Sequence, residues 1–127
     1  MLGDMPKTQV VFYAELNVAP ALAWLDEVDD KVRDKLFYRV RRLEEAEHEL
    51  RRPEADFLRD GIHELRVRHL RVNYRLLYFF HERVGVIAHG CTKEGAVGNA
   101  DIDRAIARQK KYAKSPGRCT YVAPAGT

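Results

Sequence analysis

Gly61-Ile-His-Glu-Leu-Arg-Val-Arg-His-Leu-Arg-Val-Asn-Tyr-Arg-Leu-Leu-Tyr-Phe-Phe80 alternates charged and apolar side chains through two successive runs. Neighbours in a strand point to opposite faces, so the pattern reads as a β-hairpin with one basic and one apolar face. A turn at His69-Leu70 places Glu64, Arg66 and Arg68 on one face with Arg71, Asn73 and Arg75, and sets Glu64 directly opposite Arg75. Leu65 and Val67 then share the other face with Val72, Tyr74, Leu76 and Tyr78. Four arginines to one carboxylate is an unusual use of a strand face, since lysine, threonine or glutamate would serve solubility as well. The planar guanidinium fork matches phosphate oxygens two at a time. This face is therefore the first candidate for a nucleic-acid site.

Before the hairpin, Val10-Val-Phe-Tyr13 reads as a short strand of β-branched and aromatic residues. Pro20 suits the first turn of a helix whose apolar side is Ala21-Leu-Ala-Trp-Leu25. Asp29-Asp30 can cap a second, longer helix in which Val32, Leu36, Val40, Leu43 and Leu50 recur at helical spacing, with Pro53 marking its end. A loop over Glu54–Asp60 leads into the hairpin. After a turn at His81-Glu-Arg83 comes a third central strand, Val84–Gly90. Gly95–Asn99 is a flexible connection, and Asn99 can cap a last helix with Asp101 and Asp103 near the positive end of its dipole. Its expected inner stripe is Ile102, Ala105, Ile106, Gln109 and Ala113, and Ser115-Pro-Gly117 stops it.

The order β-α-α-β-β-β-α predicts an α+β fold. A curved antiparallel sheet carries the two N-terminal helices on one face, burying Trp24, Leu65, Tyr74, Leu76 and Tyr78, and a C-terminal helix closes the chain. The opposite face stays partly open, and the arginines sit there. At 127 residues this is one domain over 1–127 with one core, roughly 9–114, a loose leader over 1–8 and a tail over 115–127. Apolar residues at 46% against 32% charged exclude a disordered chain. No apolar run is long enough for a membrane span, and Met1–Lys7 lacks the apolar centre of a signal peptide. Cys91 and Cys119 match no metal spacing and read as reduced thiols of a cytoplasmic protein. The net charge of +3 says little alone. Its distribution says more, with acids gathered over 26–56 and bases over 59–75 and 104–118. A solvated mixed surface is the plain alternative to a basic patch.

Four pieces in this order carry a resemblance: Leu58-Arg-Asp-Gly-Ile-His-Glu-Leu-Arg66, Tyr74-Arg-Leu-Leu-Tyr-Phe-Phe80, His89-Gly90 followed by Lys93, and the helix Ile102–Tyr112. Over roughly 9–114 the chain resembles the RelE/HigB superfamily of bacterial type II toxin–antitoxin toxins, in its phage-derived HigB-like branch. The resemblance implies a RelE-like fold and an mRNA endonuclease (mRNA interferase) acting on mRNA at the ribosome without metal or other cofactor. The ribose 2′-OH attacks the adjacent phosphate, leaving a 2′,3′-cyclic phosphate and a 5′-OH. It also implies a helix-turn-helix antitoxin as partner, with operator DNA reached only through that antitoxin, and no membrane association.

Arg75 stands at the family's Tyr-Arg position and is the candidate for the scissile phosphate. Its structural alternative is an ion pair with Glu64, worth only about 0–1 kcal/mol if exposed. Arg66 and Lys93 are the other catalytic candidates, and Arg68, Arg71 and Arg59 the candidates for RNA backbone. His89 and Tyr112 are candidate acid–base groups, with a satisfied structural histidine and a core aromatic as their alternatives. Alternation turns His63 toward the packed face, and Cys91 reads as a buried thiol. Relatives carry a lysine-rich stretch where this chain has Lys93-Glu-Gly-Ala-Val-Gly-Asn99, so several expected cations are absent and Glu94 adds a negative charge. A rival reading keeps the fold but not the chemistry: ParE-like relatives inhibit DNA gyrase, and a degenerate toxin would do neither.

Overall fold

The computed structural model describes residues 8–124. Along the chain run β1 (Gln9–Phe12), α1 (Pro20–Glu27), α2 (Asp30–Ala46), β2 (Ala55–Arg59), β3 (Ile62–His69), β4 (Val72–His81), β5 (Val84–Thr92) and α3 (Asn99–Lys114). The strands form one sheet in the order β1-β5-β4-β3-β2. This is the expected α+β plan, consistent with a RelE-like fold, with two differences. The segment read as a loop over Glu54–Asp60 carries β2, an antiparallel edge strand. And β1 lies parallel to β5, with Gln9 beside Val84 and Phe12 beside Ile87, so the sheet is mixed rather than wholly antiparallel.

The β3–β4 turn falls at Leu70-Arg71, one residue later than alternation suggested. Both residues have positive φ, 48° and 69°, the mirror-type geometry whose twist suits a two-residue hairpin. Leu-Arg carries none of the Asn-Gly signature of such turns. The later turn moves each partner by two, so Arg66 faces Arg75, and Glu64 faces Leu77 instead of Arg75. An even shift leaves the faces unchanged.

On the apolar face, Leu25, Val32, Leu36, Val40 and Leu43 of α1 and α2 pack on Leu65, Val67, Leu76 and Tyr78. Asp29 caps α2 by accepting from the Lys31 amide at 3.1 Å. The helix ends at Ala46, well before Pro53, in a 3₁₀ turn over Glu47–Glu49, and Leu50 is buried beyond it. Asp29→Ala should lower stability by about 1 kcal/mol, read as a lower urea midpoint with an unchanged slope.

α3 covers part of the other face, chiefly over β5 and β4. Ile102, Ala105 and Tyr112 meet Ile62, Leu77, Phe79, Val86 and Ala88, so the sheet divides the expected single core into two apolar layers. Tyr112 takes the inward place expected of Ala113, which is exposed. Gly98, not Asn99, occupies the N-cap, and the Asn99 side chain instead accepts from Arg59. Much of the expected tail is packed: a 3₁₀ turn over Pro116–Cys119 buries Cys119, and Thr120 bridges to Tyr13. The expected leader lies outside the described residues up to Lys7, as do residues 125–127 of the tail. No helix among the described residues is long and apolar enough to cross a membrane. Beyond the cover of α3, the hairpin end of β3 and β4 carries the arginines.

Candidate nucleic-acid site

Arg75 Nε donates to Glu64 Oε1 at 2.6 Å, and both side chains are only 6% exposed. The pair therefore forms despite the changed register, diagonally across β3 and β4, and it is buried rather than at the surface. Glu64 Oε2 lies 3.7 Å from Arg66 Nε, too far for a hydrogen bond. Arg66 Nε is the buried side-chain nitrogen left without a partner among the described residues. A carboxylate thus orients Arg75 through its Nε edge, and two guanidinium groups converge on one spot.

This cluster opens into a groove of about 370 Å³ lined by Arg66, Arg68, Asn73 and Arg75, with Arg52 and Asp56 on one wall and Glu94–Val97 on the other. A second depression of about 320 Å³ shares those four residues and extends past the β3 edge to Arg39 and Pro53. The loop after β5 is braced against the arginine strand. Asn73 Nδ2 donates to Glu94 O at 3.0 Å, the Lys93 amide to Asn73 O at 3.1 Å, and Arg75 Nη2 weakly to Gly95 O at 3.4 Å. Sequence reading missed Arg39, Arg52 and Asp56. Arg39 stands on α2 one turn after Leu36 and donates to Arg66 O at 2.9 Å, where β3 runs past its pairing with β2.

Lys93 sits beside this groove but is held by Asp101, Nζ to Oδ2 at 2.9 Å. That hydrogen bond raises its pKa, so it is charged but engaged. The other Asp101 oxygen lies 2.7 Å from His89 Nε2, and Arg108 Nη1 lies 3.3 Å from His89 Nδ1. Arginine can only donate, so Nδ1 accepts and Nε2–H donates to Asp101. His89 is thereby neutral with both nitrogens engaged, the satisfied structural histidine of its alternative reading. Ligand atoms of His89, Cys91 and Asp101 lie within 4.8 Å of one another, a spacing that could gather a metal ion. His89 and Asp101 are already hydrogen-bonded, and burial pushes the Cys91 thiol up to about 12.

Of the remaining candidates, Arg68 and Arg71 are exposed and have no side-chain partner among the described residues. Arg59 is held between Asp60 and Asp103, at 2.9 and 2.8 Å, and does not line the groove. Tyr112 is buried under α3, edge-on to Phe79, and is not brought to the groove. His63 stacks on Tyr78 on the packed face, as alternation indicated.

Burial lowers the pKa of His89 from 6.5, outweighing the opposing hydrogen bond that Nε2–H donates to Asp101, and burial likewise lowers that of His63. Between the folded pKa and 6.5 the unfolded chain binds more protons, so stability should fall as pH drops below about 6.5 and be fully present above it. The urea midpoint should be lower at pH ~5.5 than at pH ~7.5, and a His63→Gln/His89→Gln chain should lose most of that dependence. A wild-type midpoint flat across this interval would count against both buried neutral histidines.

The comparisons with known proteins agree with this geometry at the level of family. No curated protein matches the chain. The family model described as "Phage derived protein Gp49-like (DUF891)" matches residues 23–110, from α1 through most of α3 and across the whole groove. With more than half of its length matched, the chain belongs to this Gp49-like phage-derived family, which is associated with RelE-like toxins.

Proposed function

We propose that this chain is the toxin of a type II toxin–antitoxin pair and cleaves mRNA at the ribosome. The observation that carries the reading is the convergence of Arg66 and Arg75, with Arg66 Nε buried and without a hydrogen-bond partner among the described residues. An unmet buried donor costs about 1–3 kcal/mol, and an anionic oxygen in the groove would relieve it. In this reading Arg75 and Arg66 hold the phosphate and stabilise the charge that grows on it. The 2′-oxygen gives its proton to water and bonds to phosphorus as the bond to the 5′-oxygen breaks, and the departing 5′-oxygen takes up a proton from solvent to leave as the 5′-OH. Lys93, released from Asp101, faces the leaving oxygen. Arg68 and Arg71 grip flanking backbone. The reading gives no chemical step to Arg59, His89 or Tyr112. The family's toxin association supports an antitoxin as the protein partner.

The test is induced expression followed by primer extension on a translated message. Cuts inside codons that vanish when translation of that message is blocked are expected. Growth arrest with intact mRNA would overturn the reading in favour of a non-catalytic toxin, such as a gyrase inhibitor. Two observations favour that rival, the Lys93–Asp101 pair and the single cation in the Lys93–Asn99 loop.

A further inference from the structure

At the β1 edge of the sheet, away from the arginine groove, Glu15–Val18 makes a tight turn closed by two backbone hydrogen bonds of 3.0 and 2.9 Å. Its central residues Leu16 and Asn17 have φ of 51° and 58°, a left-handed pair that ordinarily calls for Asn-Gly. Leu16 is 98% exposed. The turn is also clamped: Asn17 Nδ2 donates to Val122 O at 3.0 Å, and Asn17 Oδ1 accepts from the Val122 amide at 2.9 Å. Backbone strain is thus retained to hold an aliphatic side chain in water, beside exposed Val18 and Val122. The Leu16 side chain itself buries nothing in return. Over-determined strained positions gather at binding sites, and apolar patches rimmed by polar groups mark protein contact surfaces.

Next to the turn lies a depression of about 640 Å³, with buried Tyr13 and Cys119 in its floor and Lys111, Lys114 and Arg118 on its rim. Among the described residues Glu15 is the only carboxylate lining it, and it is already shared by Tyr13 Oη at 2.6 Å and Lys111 Nζ at 3.2 Å. Lys114 and Arg118 have no side-chain partner among the described residues. Between Arg104 and Arg118 the chain has six cations and no carboxylate.

We propose that this edge docks an acidic amphipathic helix of a partner protein. The helix's aliphatic residues cover Leu16, Val18 and the depression, and its carboxylates meet Lys111, Lys114 and Arg118. A second copy of the chain fits less well, because a twofold contact would bring these cations against themselves. RNA would use the cations but not the aliphatic ridge. The surface shares no residue with the groove and does not depend on what the groove does. A partner seated here leaves Arg75 open.

The experiment is fluorescence polarisation with a labelled helical peptide carrying leucines at i, i+3, i+4 and i+7 and glutamates between them. One control exchanges glutamate for lysine, the other leucine for serine. The glutamate–leucine peptide should bind about tenfold or more tighter than either control. Leu16→Asn suits the turn better than leucine and should keep or raise the thermal midpoint, yet it should weaken that binding about tenfold. Equal binding of all three peptides overturns the proposal, as does binding unchanged in Leu16→Asn. So does a labelled oligouridylate whose binding is lost in Lys111→Glu/Lys114→Glu while the peptide does not bind. Concentration-dependent dimerisation abolished by Leu16→Asn would assign the edge to self-association instead.

Discussion

Under the proposed function, Arg75→Ala should abolish the cuts expected in primer extension and should also weaken the fold, and the two losses can be separated. The catalytic loss should be about 10²–10³-fold, the scale for removing one group that stabilises transition-state charge. The structural loss arises because Glu64, buried against Arg75 at 2.6 Å, is left with no hydrogen-bonded partner. Removing one member of a buried pair costs about 3–5 kcal/mol, which should lower Tm by roughly 10 °C or more. Replacing both members by methionine removes the stranded charge, and such exchanges are often close to neutral. Arg75→Met/Glu64→Met should therefore regain most of the lost stability and still not cut. Glu64→Gln keeps an acceptor for Arg75 Nε and should cut within about tenfold of wild type if, as in the proposed mechanism, the carboxylate only positions Arg75. Cutting by the double variant would remove Arg75 from the phosphate. A stable but inactive Glu64→Gln would move the chemistry onto the carboxylate.

How far the sequence reveals this site depends on the range of the interactions. Alternation in Gly61–Phe80 tells which side chains share a face, and it survives a misplaced turn because parity is unchanged by a shift of two. The register is not legible, since Leu70-Arg71 adopts its left-handed pair without the usual residues. The β2 strand hides in the short, irregular Ala55-Asp-Phe-Leu-Arg59, although Asp60-Gly61, with φ of 53° and 82°, is a standard hairpin signal that predicts a strand before it. The cover provided by α3 is also written locally, in the unbroken apolar run Leu76–Phe80, which fits a strand buried on both faces. Burial of the Arg75–Glu64 pair is not written locally. It depends on the Lys93–Gly98 loop closing over the strands, through Asn73 to Glu94 and Arg75 to Gly95. The His89–Asp101–Lys93 cluster likewise joins a strand, a loop and a helix at spacings no motif prescribes.

Gly90→Ala should be the other large effect, and it gives the His89-Gly90 piece of the family pattern a physical meaning. A Cβ on Gly90 would stand 2.3 Å from Trp24 Cε3 and 2.4 Å from Trp24 Cδ2. These are atoms of a rigid indole, itself packed near Tyr74 with ring centroids 6.3 Å apart, so no flexible chain end can give way. Either α1 or β5 must move. Overpacking of this kind costs about 1–3 kcal/mol and occasionally more, and a clash this deep belongs at about 3 kcal/mol. Gly90 pairs with Leu76, and its neighbour Cys91 pairs with Arg75. A displaced β5 therefore carries the Lys93–Gly98 loop with it, and cleavage should fall together with stability. Trp24→Leu makes room at its own cost in lost packing. In the Gly90→Ala background that cost should be partly recovered, leaving the double variant more stable than the sum of the singles by about 1 kcal/mol or more. Urea denaturation of the four proteins closes the cycle. Strict additivity would mean that the main chain absorbs the new methyl without reaching the indole, and that Gly90 is not there to seat Trp24.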